Sequence, residues 1–253
     1  MNTGDIYNFI NSFAPFDSAE EWDNTGLLVG APESPVTRVL VSLDITPGVV
    51  AEAYKKGAEL IVSHHPVIFE PLKNLEPNSA PYLLAKNGIS AICAHTNLDI
   101  AVNGVNDVLA RTAGITSELK WFYESGEQPI GRVGMLEKEQ LFDEYIYYIK
   151  STLGSNVVRY SKASLSVKKV AVVGGAGGDY IRQAKEAGAD TFLTGDVKYH
   201  EFLLADEFGV NIIDAGHFST ENLIILPLKQ KLKSKFPETE FIVSEHTDIV
   251  KGI

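Results

Sequence analysis

The sequence predicts an α/β protein, with two similar α/β lobes from an internal duplication and mostly parallel sheets flanked by helices. Three observations lead there. β-branched runs alternate with helix-patterned segments along most of the chain. The order strand–helix–strand–helix–strand occurs twice, at a near-constant offset. Imidazoles and carboxylates gather where the predicted strands run out, which is where open α/β sheets place ligands.

The elements follow in order. TRVLVSLD is a short β-branched strand ending at Asp44. TPGVVAEAYKKG is a helix with Thr46 as N-cap, Pro47 in the first helical position and Gly57 as its stop. AELIVSHH is the next strand, APYLLAKNG a short helix closing at Gly88, ISAICAHTNLD a third strand, and AVNGVNDVLARTAG a helix that runs through Gly104. Residues 121–167 read as a strand–helix–strand connection through GRVGML, EQLFDEYIYYIKSTLG and NVVRYS. The pattern then repeats. Val39 falls on Val170, Ala53 on Ala184, Gly57 on Gly188, Ala58 on Ala189 and Glu59 on Asp190, all at an offset of 131. After a net ten-residue deletion, GISAICAHTNLD lies over GVNIIDAGHFST with Gly88 on Gly209. The lobes are expected at 1–120 and 121–253, with a C-terminal segment that can return to the first.

With 253 residues, 45% of them hydrophobic, the chain can bury a sizeable core. Its formal net charge of −11 argues against a duplex-binding protein, which needs a basic stripe to neutralise phosphates. The lysines of PLKQKLKSKF read as the solvated face of a helix. MNTGDIYNFINSFAPFD has no basic start and no unbroken apolar run, so no signal peptide is expected. No run of 18 apolar residues predicts a membrane span. The single cysteine, Cys93, lies in apolar AICAH and reads as core. It has no internal disulfide partner, which fits a reducing, cytoplasmic setting.

The strand ends carry the chemistry. The first half presents Asp44, then His64 and His65, then His95 and Asp99. The second presents Gly174 to Gly178, then Asp196, then Asp214, His217 and Glu221. Neighbouring residues inside a strand point to opposite faces, so adjacent histidines need a break in the strand. Pro66 supplies it, because it cannot donate to a ladder and pushes its predecessor toward extended backbone. The two imidazoles can then serve neighbouring ions, which in two-metal sites lie about 3.5–4 Å apart. His217 and Glu221 are four apart and can reach one site around a turn, with Ser219 or Thr220 capping the helix ENLIILPLKQKL. A carboxylate such as Glu221 can bridge two cations. A lone histidine at a strand end is ordinarily just hydrogen-bonded. The pair with HTNLD and GHFSTE instead selects five metal ligands: His64, His65, Asp99, His217 and Glu221. This mixed N/O set suits Zn, Mn, Fe or Ni.

Other features carry less. VVGGAGGDY fails the dinucleotide fingerprint, because the third glycine position counted from Gly175 is Tyr180. It reads as a tight turn into a helix. His200, in VKYHEF, reads as a surface or cleft residue, and His246 as lying outside the cluster unless SEHTD folds back.

WDNTGLLVG, SLDITPGVV, GAELIVSHHPVIF, AHTNLD and GDVKYHEFLLADEFGVNIIDAGHFSTE together resemble the GTP cyclohydrolase 1 type 2 homologs, the Nif-three-like family, over essentially the whole chain. The resemblance implies two α/β lobes with a dinuclear metal centre in the cleft between them. It places two divalent cations on the same five ligands. It implies a toroidal homohexamer, and the short 121–167 stretch implies that the middle domain inserted in longer members is missing. The family name implies hydrolysis at C8 of the GTP imidazole ring, hence a metal-dependent hydrolase of a nucleotide-like small molecule. The alternative is a non-catalytic regulatory or scaffold ring held together by metal. Asp23, Asn24 and Asp44 would shape a pocket or orient the histidines, and His95 would be an acid–base group or an orienting one. No residue is singled out as catalytic.

Overall fold

β-branched four- and five-residue runs alternate with capped helices, and the backbone follows them. In the computed structural model, which describes residues 1–123 and 129–252, the elements in chain order are α1 (Thr3–Asn11), β1 (Gly26–Val29), β2 (Arg38–Ser42), α2 (Pro47–Lys56), β3 (Leu60–Ser63), α3 (Ala80–Asn87), β4 (Ser90–Cys93) and α4 (Thr96–Ile100). Then come α5 (Val105–Thr112), β5 (Lys120–Tyr123), β6 (Pro129–Leu141), α6 (Phe142–Leu153), β7 (Arg159–Ser161), β8 (Ser166–Ala176), α7 (Ile181–Glu186) and β9 (Thr191–Gly195). The last are α8 (Tyr199–Glu207), β10 (Asn211–Asp214), α9 (His217–Glu221), α10 (Ile225–Lys235) and β11 (Glu240–Val243). The predicted caps hold. The Thr46 hydroxyl accepts from the Val49 amide, and Gly57 and Gly88 end α2 and α3 in the left-handed conformation that glycine adopts without strain.

The chain divides into two compact units, Met1–Val102 with Ile224–Thr247, and Asn103–Leu223 with Asp248–Ile253. The 120/121 boundary read from the sequence lies inside the second unit. α5 accounts for this: its Leu109 and Ala110 share a core with Ile149, Val170 and Leu193.

In the first unit the sheet order is β1-β4-β3-β2-β11. β4, β3, β2 and β11 are mutually parallel, and β1 is an antiparallel edge. β11 pairs with β2 in this sheet, with Phe241 opposite Val39. α2 and α3 seal the sheet with a core of Val50, Ala53 and Leu84 on Leu40, Ile61 and Ala91. In the second unit the order is β5-β6-β8-β9-β10-β7. Parallel pairing is confined to β8, β9 and β10, while β5, β6 and β7 join antiparallel.

The register of the two sheets matches the offsets read from the sequence. Val39 faces Leu60, and Val170 faces Thr191. Leu60 faces Ser90, and Thr191 faces Asn211. An antiparallel edge strand follows in both sheets, Gly26 opposite Cys93 in one and Arg159 opposite Asp214 in the other. A five-residue helix leaves the third strand of each, α4 and α9, at equivalent positions.

Three local expectations are corrected. The segment read as strand through TNLD is strand only to Cys93, and Thr96–Ile100 is helical. The Asp23 carboxylate takes the Thr96 amide at 3.1 Å, a helix start fixed by a distant residue. Gly104 is an N-cap instead of a helix interior, where it would cost about 1 kcal/mol. Ser219 and Thr220 lie inside α9 and do not cap the next helix. The Thr220 hydroxyl bonds back to the Gly216 and His217 carbonyls.

Candidate metal centre

In the first unit, β3 ends at Ser63 and the histidine pair follows it. Both backbone groups of each histidine are tied. The His64 and His65 amides donate to Ser42 and Leu43 carbonyls, at 3.3 and 2.9 Å. The His64 carbonyl accepts from the Cys93 thiol at 2.9 Å, and the His65 carbonyl from the Ser63 hydroxyl at 2.8 Å. Released from strand alternation, the two rings stand 5.1 Å apart, inclined at 40°.

Each ring has its Nδ1 against an acceptor. His64 Nδ1 lies 2.9 Å from the Ala94 carbonyl, His65 Nδ1 2.7 Å from Asp44 Oδ1, and His95 Nδ1 2.9 Å from Asp23 Oδ1. A carbonyl or carboxylate can only accept, so Nδ1 carries a proton, and the neutral ring then has its lone pair on Nε2. The three histidines each bring one ring nitrogen within 4.8 Å of the others. Asp99, on α4, places Oδ1 3.4 Å from His64 Nε2. His64 is fully buried.

The second unit repeats the device with one histidine. His217 opens α9 and Glu221 closes it, with Nε2 and Oε2 3.0 Å apart. His217 Nδ1 lies 2.8 Å from Asp196 Oδ2. Asp196 leaves β9 in the left-handed region at φ 51°, a strained conformation for a residue with a Cβ. The glycine run makes room. A Cβ on Gly175, at φ 65°, would stand 2.2 Å from Glu221 Oε1 and 3.1 Å from His217 Nε2. Its amides are already used: Gly174 donates to Asn106, Gly175 to Thr220 and Gly177 to Thr194. The run is therefore the end of β8 and the turn after it, with Gly175 leaving room for Glu221 and His217, as opposed to a phosphate cradle.

These donor sets fit a divalent cation. Two ligand atoms about 2.1 Å from one ion, at octahedral to tetrahedral angles, lie roughly 3.0–3.4 Å apart. The His217–Glu221 and His64–Asp99 separations fall at the two ends of that range. With the neutral Nδ1–H tautomer both atoms are acceptors, and a cation between them would turn their repulsion into ligation.

The orienting carboxylates are themselves held. Burial would raise the Asp44 pKa, but the hydrogen bonds from His65 and His246 lower it below the usual range. Burial would likewise raise Asp23, but hydrogen bonds from His95 and Thr96 bring it to about 2. His246 Nε2 sits 3.2 Å from Asp44 Oδ2, so SEHTD does fold back, onto Asp44. The Asn24 side-chain amide donates to the Ile68 carbonyl at 2.6 Å. The His200 side chain is 72% exposed, a surface residue. Burial pushes the Cys93 thiol well up, so it is no nucleophile. The sequence reading left His95 outside the ligand set and gave Asp196 and Gly175 no part. A carboxylate at the preceding strand end was the available signal for the orienting residues.

The sequence matches the profile of one family, Duf34/NIF3 (NGG1p interacting factor 3), over residues 1–249. The chain belongs to the Duf34/NIF3 family. A GTP cyclohydrolase 1 type 2 homolog from Clostridium perfringens is 38% identical, covering 97% of each chain. A homolog of the same name from Methanocaldococcus jannaschii is 35% identical over 92% of this chain and 96% of its own. The crystal structure of Staphylococcus aureus hypothetical protein SA1388 superposes with a TM-score of 0.90 at 31% identity, covering 100% of this chain and 99% of the other. Duf34/NIF3 membership and the donor clusters together give this chain candidate metal-binding residues. No helix among the described residues is long and apolar enough to cross a membrane.

Proposed function

We propose that the chain binds two divalent cations through His64, His65 and Asp99 of the first unit and His217 and Glu221 of the second, and hydrolyses a nucleotide-like small molecule. One observation supports this most. His64, His65, His95 and His217 all have Nδ1 against an acceptor, an arrangement that fixes each ring and orients its Nε2 for a metal. Second partners of this kind are the habitual companions of metal-binding histidines.

Divalent cations at such ligands supply Lewis acidity and an acidified water. The protein's residues do the rest. Asp44, Asp196 and the Ala94 carbonyl hold the imidazoles in one tautomer and orientation. His95, held by Asp23 and beside His64 and His65, offers Nε2 as a further donor or as the place where a proton is held. The name of the C. perfringens and M. jannaschii relatives, GTP cyclohydrolase 1 type 2 homolog, makes purine nucleotides the first substrates to try.

The test is elemental analysis of the purified protein together with a hydrolysis screen of GTP, other nucleotides and phosphodiesters in Mn, Zn, Fe and Ni. Two metals per chain and a turnover abolished by His64→Ala and Glu221→Ala are expected. Metal without turnover on any substrate refutes the hydrolase and leaves a metal-dependent scaffold; no metal refutes both.

A further inference from the structure

Beside the imidazole cluster stands an aromatic wall turned to solvent. Trp22 is 59% exposed and Phe69 50%. Their ring centroids are 5.8 Å apart, and each ring meets His95 nearly edge-on, at 6.2 and 6.5 Å. Rings of this size left in water forgo a large burial gain. They are nevertheless held in place. Asp23 takes the His95 ring N–H and both the amide and hydroxyl of Thr96. Asn24 takes hold of the Ile68 carbonyl, one residue before Phe69. The turn Trp22-Asp23-Asn24 thus fixes the histidine, the tryptophan and the loop bearing Phe69 in one frame.

We infer that Trp22 and Phe69 are a stacking wall for a planar, uncharged heteroaromatic ring, a nucleobase or its like, which they hold beside His95. The inference rests on the metal-centre reading above, since it is the ring's place next to the ligands that makes it part of a substrate. Charge selects the ring over the rest of a nucleotide. Residues 14–31 contain no Lys or Arg, while Asp17, Glu20, Glu21 and Asp23 lie within them, and Glu70 follows Phe69. Phosphates are therefore held elsewhere. Aromatic stacking tolerates any base, because every base has a π face.

The experiment uses the metal-loaded, full-length protein and isothermal titration with AMP, GMP, CMP, UMP and ribose 5-phosphate. At least one nucleotide should bind tenfold or more tighter than ribose 5-phosphate. Trp22→Ala should remove about tenfold of that preference, Phe69→Ala somewhat less, and Trp22→Phe little. Affinity for ribose 5-phosphate and metal content should not move. The inference is overturned if no nucleotide outbinds ribose 5-phosphate, or if both alanine variants keep the full preference. An altered sedimentation coefficient with the preference intact also overturns it, and assigns the wall to contact with a second copy. Metal content is read on the same samples, so an empty protein signals failure of the metal-centre reading instead.

Discussion

If His217 and Glu221 are metal ligands as proposed, Gly175→Ala should weaken metal binding there while costing little stability. The methyl group would arrive 2.2 Å from Glu221 Oε1 and 3.1 Å from Glu221 Cδ. The carboxylate must recede by roughly 1 Å to regain ordinary contact. It has little room, being 3% exposed and already close to Gly174, whose own Cβ would meet Glu221 Cγ at 3.2 Å. A binding constellation tolerates about 0.5 Å of misplacement, so metal affinity should fall by about tenfold to a hundredfold. The left-handed backbone adds about 1 kcal/mol of strain for a residue with a Cβ, or roughly 2–4 °C in Tm. Gly209→Ala is the control. It has φ 65°, like Gly175, but nothing within 4 Å of the built Cβ. It carries the same strain and no collision. Chelator competition, elemental analysis and calorimetry on both variants read the difference. Equal metal affinity in the two would refute the argument that Gly175 exists to admit Glu221.

The other expectations are simpler to state. Asp44→Ala should weaken metal binding about tenfold to a hundredfold by chelator competition, because His65 loses the acceptor that fixes its tautomer. Cys93 should stay unmodified by thiol reagents in the native protein and react only on unfolding, since burial raises its pKa. Glu52 takes the Ser244 hydroxyl, the Glu245 amide and the Lys56 ammonium. Burial would raise its pKa, but these partners, Lys56 first, lower it below 4.5. Its contribution is thus complete above the unfolded value near 4.5 and is lost as pH falls through the lower folded value. Amide exchange of residues 244–247 should accelerate below that range, and Glu52→Gln should produce the same loosening at neutral pH.

Much of this was legible from residues. Local chemistry fixed α2 between Thr46 and Gly57, and the offset of 131 recurs in the strand register, Val39 on Leu60 and Val170 on Thr191. What stayed hidden was set by long-range partners. TNLD looked like a strand continuation because the residue that starts α4, Asp23, lies 73 positions away. The two-unit division was displaced because α5 follows the first unit in sequence but packs in the second core. The five proposed ligands were readable as residue types at strand ends. His95 was readable there too, but its place beside His64 and His65 was not, because its commitment to Asp23 is a tertiary contact. The glycine run was read as a turn, yet its purpose depends on Glu221, 46 residues later in the numbering.

The matched registers also explain why the two units contribute differently. Under the 131-residue offset, Asp44 corresponds to Gly175 and His65 to Asp196; under the later offset, Thr96 corresponds to His217. In the first unit a carboxylate at the end of β2 holds a histidine at the end of β3. In the second, a carboxylate at the end of β9 holds a histidine on α9, the same pairing moved one element along. The shift leaves the end of β8 without a function for a side chain, and glycine there lets Glu221 press against the backbone. A carboxylate at 175, as Asp44 stands at its own position, would occupy the space Glu221 uses. Gly175→Asp should therefore abolish metal binding by the second unit's ligands even where the chain folds, and the His217–Asp196 pair cannot compensate, since its carboxylate is already spent on Nδ1.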